Sequence, residues 1–285
     1  MVKFGFGDGT VVAAVLASGQ VVSLASYCVR APRVIKTWPT FMYHELRLRV
    51  GKPGHPKASE IVTRDGARLG VVQGRVGLYP VIAEVWVHAH YDRKPEMRIR
   101  PDDTVIDIGA QVGYFTIKAA RQATSGRVLA FEPCPPHFAS LEANIERNSL
   151  TNVTAFHEAI WSTAGTVDLN YGMAPGGPTN TSVYDIGATT MSATVPSHTL
   201  DEIFEREQIE RCGFLKMDCE GAEYPILEGT HDDTLRRIDR IAMEWHRFDP
   251  SHEPAALVER FLSVGFTVET ATNTADETGY IWAHR

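Results

Sequence analysis

The stretch from Thr104 to Phe115, Thr-Val-Ile-Asp-Ile-Gly-Ala-Gln-Val-Gly-Tyr-Phe, restricts the fold more than any other part of the chain. Its β-branched start reads as a buried strand. The run then breaks at an acid and two glycines and resumes with helical spacing at Ile117 and Ala120. A strand, a glycine-turned loop and a helix start are the geometry that brings a ligand to a helix N-terminus. The alternation continues downstream. Strands are expected at Arg127–Phe131, Val153–His157, Thr166–Asn170, Phe214–Met217 and Ile238–Glu244. Helices are expected near 114–123, 136–148, 199–210, 222–229, 231–236 and 253–264. The closing runs Phe266–Thr270 and Gly279–Ala283 have no helix between them, which suggests a terminal antiparallel pair. The expected class is α/β, a doubly wound and mostly parallel sheet with helices on both faces.

Upstream, Thr10–Leu16 and Gln20–Ala25 are β-prone runs joined by Ala17-Ser18-Gly19. Residues 36–59, with Pro39, Pro53 and Pro56, read as loop. A hairpin is expected at 61–72, turning on Asp65-Gly66, and a helix at 79–91 leading to His88, His90 and Tyr91. Two parts follow: a small β-rich N-terminal region, 1–75, for substrate or oligomer contact, and a ligand-binding domain, 76–285. Trp38, Tyr43 and His44 are candidate substrate contacts in the first part. The Gly/Pro/Thr/Ser stretch 171–196 exceeds the roughly 12–15 residues of an ordinary connection, and reads as a lid or a disordered segment.

The chain of 285 residues is 44% hydrophobic and 22% charged, enough to bury a core, so global disorder is excluded. Its net charge of -7 argues against a general nucleic-acid binder. The charge is uneven: residues 1–60 hold eight Lys/Arg against three Asp/Glu, and 201–260 hold eight against sixteen. The basic N-terminal part reads as a solvated face more readily than as an anion contact. Cys28, Cys134, Cys212 and Cys219 form no CxxC pair, which fits a reducing, cytoplasmic setting and gives no cysteine metal site. No apolar run approaches the ~18 residues of a membrane span. Val11–Ala25 is interrupted by Gly19 and Gln20, so a signal peptide is not expected.

In an open α/β sheet the ligand sits beyond the carboxyl ends of the strands. Those ends present Asp107 with the loop Gly109-Ala110-Gln111-Val112-Gly113, then Glu132, then His157 and Glu158, then Asp218 to Glu220, then Glu244 to His246. Glu132, 25 residues after Asp107, can accept hydrogen bonds from two ribose hydroxyls. Position 111 is Gln, so the loop lacks the GxGxxG of a pyrophosphate site. Asp107 favours a cationic or amino-bearing ligand. S-adenosylmethionine carries a sulfonium and an amino group and needs no phosphate cradle.

The runs Asp107-Ile-Gly-Ala-Gln-Val-Gly-Tyr-Phe-Thr116, Phe131-Glu-Pro133, Thr199-Leu-Asp-Glu-Ile203, Leu262-Ser-Val-Gly-Phe266 and above all Leu215-Lys-Met-Asp-Cys-Glu-Gly-Ala-Glu223 resemble the FkbM family of S-adenosylmethionine-dependent methyltransferases. The resemblance covers residues 80–285. Residue 111 departs from it, Gln standing where the family has Asn. The resemblance implies a class I methyltransferase fold, with a seven-stranded sheet whose last strand is antiparallel. It implies that Asp107, Gly109, Ala110 and Gly113 hold the methionine end of the cofactor, with Asp218 beside them. Glu132 would hold the ribose and Glu158 the adenine amino group. It also implies oxygen as the methyl acceptor, on a hydroxylated small molecule such as a sugar or specialised metabolite.

Deprotonating a hydroxyl needs a base within hydrogen-bond reach. The candidates are His246, with an unperturbed pKa near 6.5, Glu244 and Asp218. Lys216 is expected to pair with Glu220 or Glu223. Asp218, Glu244 and His246 could instead hold a divalent ion, an alternative to a metal-free site. N- or carboxyl-methyl transfer, a non-catalytic nucleoside-binding module and an NAD-dependent oxidoreductase remain open alternatives.

Overall fold

A computed structural model describes residues 21–49, 60–71, 78–92, 94–174, 177–182, 191–273 and 278–285. The chain divides into two compact units, Met1–His88 and Ala89–Arg285.

In the first unit, α1 spans Val21–Val34 and α2 spans Trp38–Arg49. The hairpin β1 (Glu60–Val62) and β2 (Arg68–Gly70) follows, then α3 (Leu78–Ile82), which widens into a π-helical turn at Ala83–His88. The strand expected at Gln20–Ala25 and the loop expected at 36–59 are corrected where they are described. Tyr27, Ala31 and Ile35 are buried at four-residue intervals, a helical stripe that the β-branched residues before it had masked. Thr10–Leu16 lies outside the described residues. The hairpin stands as expected, with Ile61 opposite Leu69 and Gly66 at positive φ in its turn.

In the second unit, β3 (Thr104–Ile108), β4 (Arg127–Phe131) and β5 (Val153–Phe156) run parallel, separated by α4 (Tyr114–Gln122) and α5 (Pro135–Arg147). The chain then builds a separate four-stranded sheet from β6 (Ala159–Ile160), β7 (Gly165–Ala174), β8 (Gly177–Ser182) and β9 (Met191–His198). The expected lid or disordered stretch at 171–196 is therefore largely strand in its described part. Val167 and Leu169 alternate on β7, Ala193 and Val195 on β9, and the four share one apolar cluster. After α6 (Leu200–Arg206) come β10 (Phe214–Met217), α7 (Glu223–Gly229), α8 (Asp232–Arg236), β11 (Arg240–His246), α9 (Pro254–Ser263), β12 (Thr267–Asn273) and β13 (Thr278–His284).

The main sheet has seven strands in the order β12-β13-β11-β10-β3-β4-β5. Only the pairings of β13 are antiparallel. Strand alternation sorts its two faces. Ile106, Leu129, Phe131, Leu215, Met217, Ile241 and Met243 pack with residues of α6 to α9, while Ala130 packs with Leu141 of α5. The chain builds outward from β3 to β5 and then returns to β10 on the other side of β3. The order therefore reverses between β3 and β10, where such sheets bind ligands. At the opposite end of these strands, Arg240 makes two hydrogen bonds to Asp103, of 2.7 and 2.9 Å, and both residues are buried. No helix among the described residues is long and apolar enough to cross a membrane.

Candidate active site

The loop after β3 is held by its neighbours on every side. Gly109 has φ +74°, and a Cβ there would stand 1.8 Å from the Asp218 carbonyl oxygen. Gly113 has φ +87°, and its Cβ would meet Leu141 Cδ1 at 2.5 Å. The two glycines are thus demanded by close approach of the protein to itself. The amides of Gly109 and Ala110 both donate to the Phe131 carbonyl at 3.0 Å, and Asn144 Nδ2 donates to the Val112 carbonyl at 2.7 Å. Asp107 is fully buried. Thr116 Oγ1 donates to its Oδ2 at 2.6 Å, while Oδ1 makes no hydrogen bond and lies 3.3 Å from Lys216 Nζ. Burial raises the Asp107 pKa, against the opposing pull of Lys216 and Thr116.

At the end of β4, Glu132 is buried with both oxygens engaged. Oε2 accepts from the Gln111 amide at 2.6 Å and Oε1 from the Cys134 amide at 2.8 Å. Each carboxylate oxygen keeps a second lone pair for a ligand hydroxyl. His137 Nδ1 lies 3.8 Å from Oε1. Burial would depress this imidazole, but the Cys134 and Glu132 side chains outweigh it and hold its pKa up at about 9. Glu158 binds Arg206 Nη1 through Oε2 at 2.9 Å, so an adenine amino group would share this carboxylate with α6. His157 stacks on Phe138, its Nε2 at 3.0 Å from the Pro133 carbonyl.

Across the switch point, Lys216 is paired in register with Asp107, which puts both side chains on one face of the sheet. Its Nζ donates to the Gly109 carbonyl at 2.8 Å and lies 3.8 Å from Asp218 Oδ2. The expected pairing of Lys216 with Glu220 or Glu223 is therefore corrected to Asp107 and Asp218. Tyr91 donates to Asp218 Oδ2 at 3.0 Å, which draws one of the three residues before β3 into the site. His90 instead accepts from Trp282 Nε1 through its carbonyl, and His88 packs edge-on against Tyr27. In the first unit, His44 stacks on Tyr79 in the interior, and Tyr43 is exposed.

Glu223, at the start of α7, is fully buried. It accepts from the amides of Cys219 and Gly221, each at 3.0 Å, and its Oε1 stands 3.2 Å from His246 Nδ1. Burial lowers the His246 pKa, yet Glu223, Asp218 and Glu220 overcome that effect and hold the ring protonated to about pH 10. The unperturbed titration expected for a general base is thus corrected by the carboxylates around the ring. Burial also raises Glu220 to about 7, opposed by the His246 charge. Glu244 and His246 are two residues apart on β11 and so share a face, and one donor atom from each of Asp218, Glu244 and His246 lies within 4.8 Å of the others.

The sequence candidates thus fall into three groups. Asp107, Gly109, Ala110, Gly113 and Glu132 form one braced loop. Asp218, Glu244 and His246 form a polar cluster joined to that loop through Lys216 and the Asp218 carbonyl. Glu158 has its own ion pair. Sequence reasoning missed Glu223 as the partner that orients His246, and His137 beside Glu132. A carboxylate opening a helix two residues after Gly221 was the available signal for the first; the second had none.

The profile of the Methyltransferase FkbM domain matches residues 107–268. Three known proteins are similar. Methyltransferase 1 of Beauveria bassiana (strain ARSEF 2860) is 26% identical, over 56% of this chain and 70% of its own length. The 31-O-demethyl-FK506 methyltransferase FkbM of Streptomyces tacrolimicus is 28% identical, over 60% of this chain and 75% of its own. The hexuronic acid methyltransferase AglP of Haloferax volcanii is 28% identical, over 58% of this chain and 66% of its own.

Proposed function

The chain belongs to the FkbM methyltransferase family, and on that premise we propose that it transfers the methyl group of S-adenosylmethionine to a hydroxyl oxygen of a small molecule, a sugar or specialised metabolite. The observation that carries this reading is the switch point itself. There a braced glycine loop, a buried Glu132 with acceptor capacity to spare and a polar cluster from β10 and β11 stand together. Glu132, with a second lone pair on each carboxylate oxygen, suits a ribose diol, while Asp107, ion-paired with Lys216, holds the glycine loop that would receive the methionine end. Two of the relatives are named for oxygen-rich substrates, 31-O-demethyl-FK506 and a hexuronic acid, which supports the acceptor class.

The cofactor supplies an already activated methyl group, so the protein's work is positioning and proton removal. Bound there, S-adenosylmethionine would supply the methyl carbon to the acceptor oxygen, with the electron pair of the carbon–sulfur bond left on sulfur. The hydroxyl proton passes to a carboxylate at the strand ends. With His246 protonated, Asp218 and Glu244 are the acceptors among the three candidates, and the imidazolium orients the oxygen. Glu158 is the proposed contact for adenine. Residues 1–75 are the proposed source of acceptor selectivity, the protein acting in the cytoplasm on a free metabolite.

Calorimetry with S-adenosylhomocysteine tests the cofactor site. Binding is expected for the wild type and is expected to be lost in Glu132→Ala and in Gly109→Arg, with no binding of NAD. Normal binding by folded variants would remove the site from the loop. Radiolabelled S-adenosylmethionine with a panel of hydroxylated metabolites tests the reaction; ligand binding without methyl transfer to any acceptor would favour a nucleoside-binding module.

A further inference from the structure

The carboxylate that follows β5 is held by one oxygen only. Glu158 Oε2 accepts from Arg206 Nη1 at 2.9 Å and lies 3.9 Å from His198 Nε2. Among the described residues, both cationic side chains that meet Glu158 meet this oxygen, and Oε1 is left open on a side chain that is 22% exposed. Arg206 is fixed in turn. Its Nε donates to Glu207 Oε1 at 3.0 Å, and its guanidinium carbon stands 4.7 Å from the centre of the Phe156 ring. Phe156 stacks on Phe131 at 4.8 Å, so the guanidinium rests on a braced aromatic pair. Arg206 also closes α6, the end of a helix at which a cation is favoured, and the start of α6 is tied down by its capping box. The neighbourhood is that of the nucleoside end of the site. The Phe156 carbonyl accepts from the Glu132 amide at 3.1 Å, which places Glu158 two residues beyond a strand end joined to the ribose carboxylate.

We propose that Arg206 is the positioning residue for base selection: by holding Oε2 of Glu158 it leaves Oε1 as a fixed acceptor for a 6-amino group, and so selects an adenine nucleoside over a 6-oxopurine one. The proposal rests on the reading of Glu158 as the adenine contact. Adenine offers a hydrogen at its 6-amino group. Hypoxanthine has an oxygen there, which would face the carboxylate acceptor to acceptor, and carries its hydrogen on the neighbouring ring nitrogen, N1. A mobile carboxylate could swing from one position to the other and accept both bases. A carboxylate pinned by a planar guanidinium cannot follow the hydrogen, so the pin supplies the penalty against the wrong base.

The test uses the full chain and two probes that differ only in the base, S-adenosylhomocysteine and S-inosylhomocysteine, each titrated by calorimetry at one pH. The wild type is expected to prefer the adenine probe by at least ~10-fold. In Arg206→Gln that ratio should fall at least ~3-fold, mainly through tighter binding of the inosine probe, a change that general loosening of the fold would not produce. Arg206→Lys keeps the charge but not the planar fork and should give an intermediate ratio; it decides the matter where circular dichroism shows that Arg206→Gln does not fold. Arg236→Gln removes the same charge from exposed α8 and should keep the wild-type ratio. Glu158→Ala should abolish the preference. A wild-type ratio in the folded Arg206 variant, with the preference lost in Glu158→Ala, overturns the role of Arg206 alone. A preference that survives Glu158→Ala overturns the adenine contact beneath it, and a wild type that binds neither probe overturns the cofactor site.

Discussion

Gln111 occupies the left-handed region at φ 52°, where its amide donates to Glu132 Oε2 at 2.6 Å and its side-chain Oε1 is buried without a hydrogen bond. A left-handed backbone costs an ordinary L-residue about 1–2 kcal/mol, and a buried unpaired polar group a similar amount. Asn adopts this conformation more readily and is shorter. Gln111→Asn is therefore expected to stabilise the protein by about 1 kcal/mol, seen as a higher urea midpoint at unchanged slope. A lower midpoint would mean that the longer side chain earns its place by packing. Gly109→Ala should have the opposite effect. The new methyl would lie 1.8 Å from the Asp218 carbonyl at a positive φ, so β3 and β10 must separate. A loss above ~3 kcal/mol in urea unfolding is expected; a loss under ~1 kcal/mol would show that the contact relaxes cheaply. The need for glycine at 109 was legible in the Asp-x-Gly-x-x-x-Gly spacing. Its cause was not, because the atom that forbids a side chain belongs to a residue 109 positions further along.

The same limit governs the elements. β3, β4, β10 and β11 were legible because each is a short apolar run bounded by turn chemistry and buried on both faces. α1 was not. Its β-branched start favours strand, and only the burial of Tyr27, Ala31 and Ile35 reveals the helical face. β9 was hidden in a Thr/Ser-rich stretch whose small residues resemble a loop until their alternation meets β7. At the amino end of the sheet, Asp103 ties the turn before β3 to Arg240 on β11 and also accepts from the Arg100 amide at 2.6 Å. Removing one partner of a buried pair strands the other charge at a cost of about 3–5 kcal/mol. Asp103→Ala should lose that much in denaturant unfolding. Thr199→Ala, which breaks the capping box of α6, should lose only about 1 kcal/mol. If the two losses were equal, Arg240 would be finding water or another acceptor and the pin would not be a strong one.

For the whole molecule, strand–helix alternation made the doubly wound class readable, whereas the second sheet depended on pairings between distant segments. Electrostatics at this scale was least readable, since it depends on which carboxylates the fold brings to one histidine. His137 offers a test away from the β10–β11 cluster. It faces Glu132 at the end of β4 and Cys134 at the start of α5, and its pKa is raised from 6.5 to about 9. Folding therefore favours the protonated ring. The associated stability is fully present below pH 6.5, declines above it and is lost as the pH rises through about 9. A shift of this size corresponds to a loss on the order of 3 kcal/mol. Thermal unfolding of the wild type and of His137→Gln should give melting temperatures that differ most at pH 6 and converge towards pH 9.5, because Gln carries no proton to lose. Curves that stay parallel across this range would show that His137 is neutral in the fold. Glu132 would then meet the ligand as an uncompensated carboxylate braced by two amides, rather than as half of an ion pair.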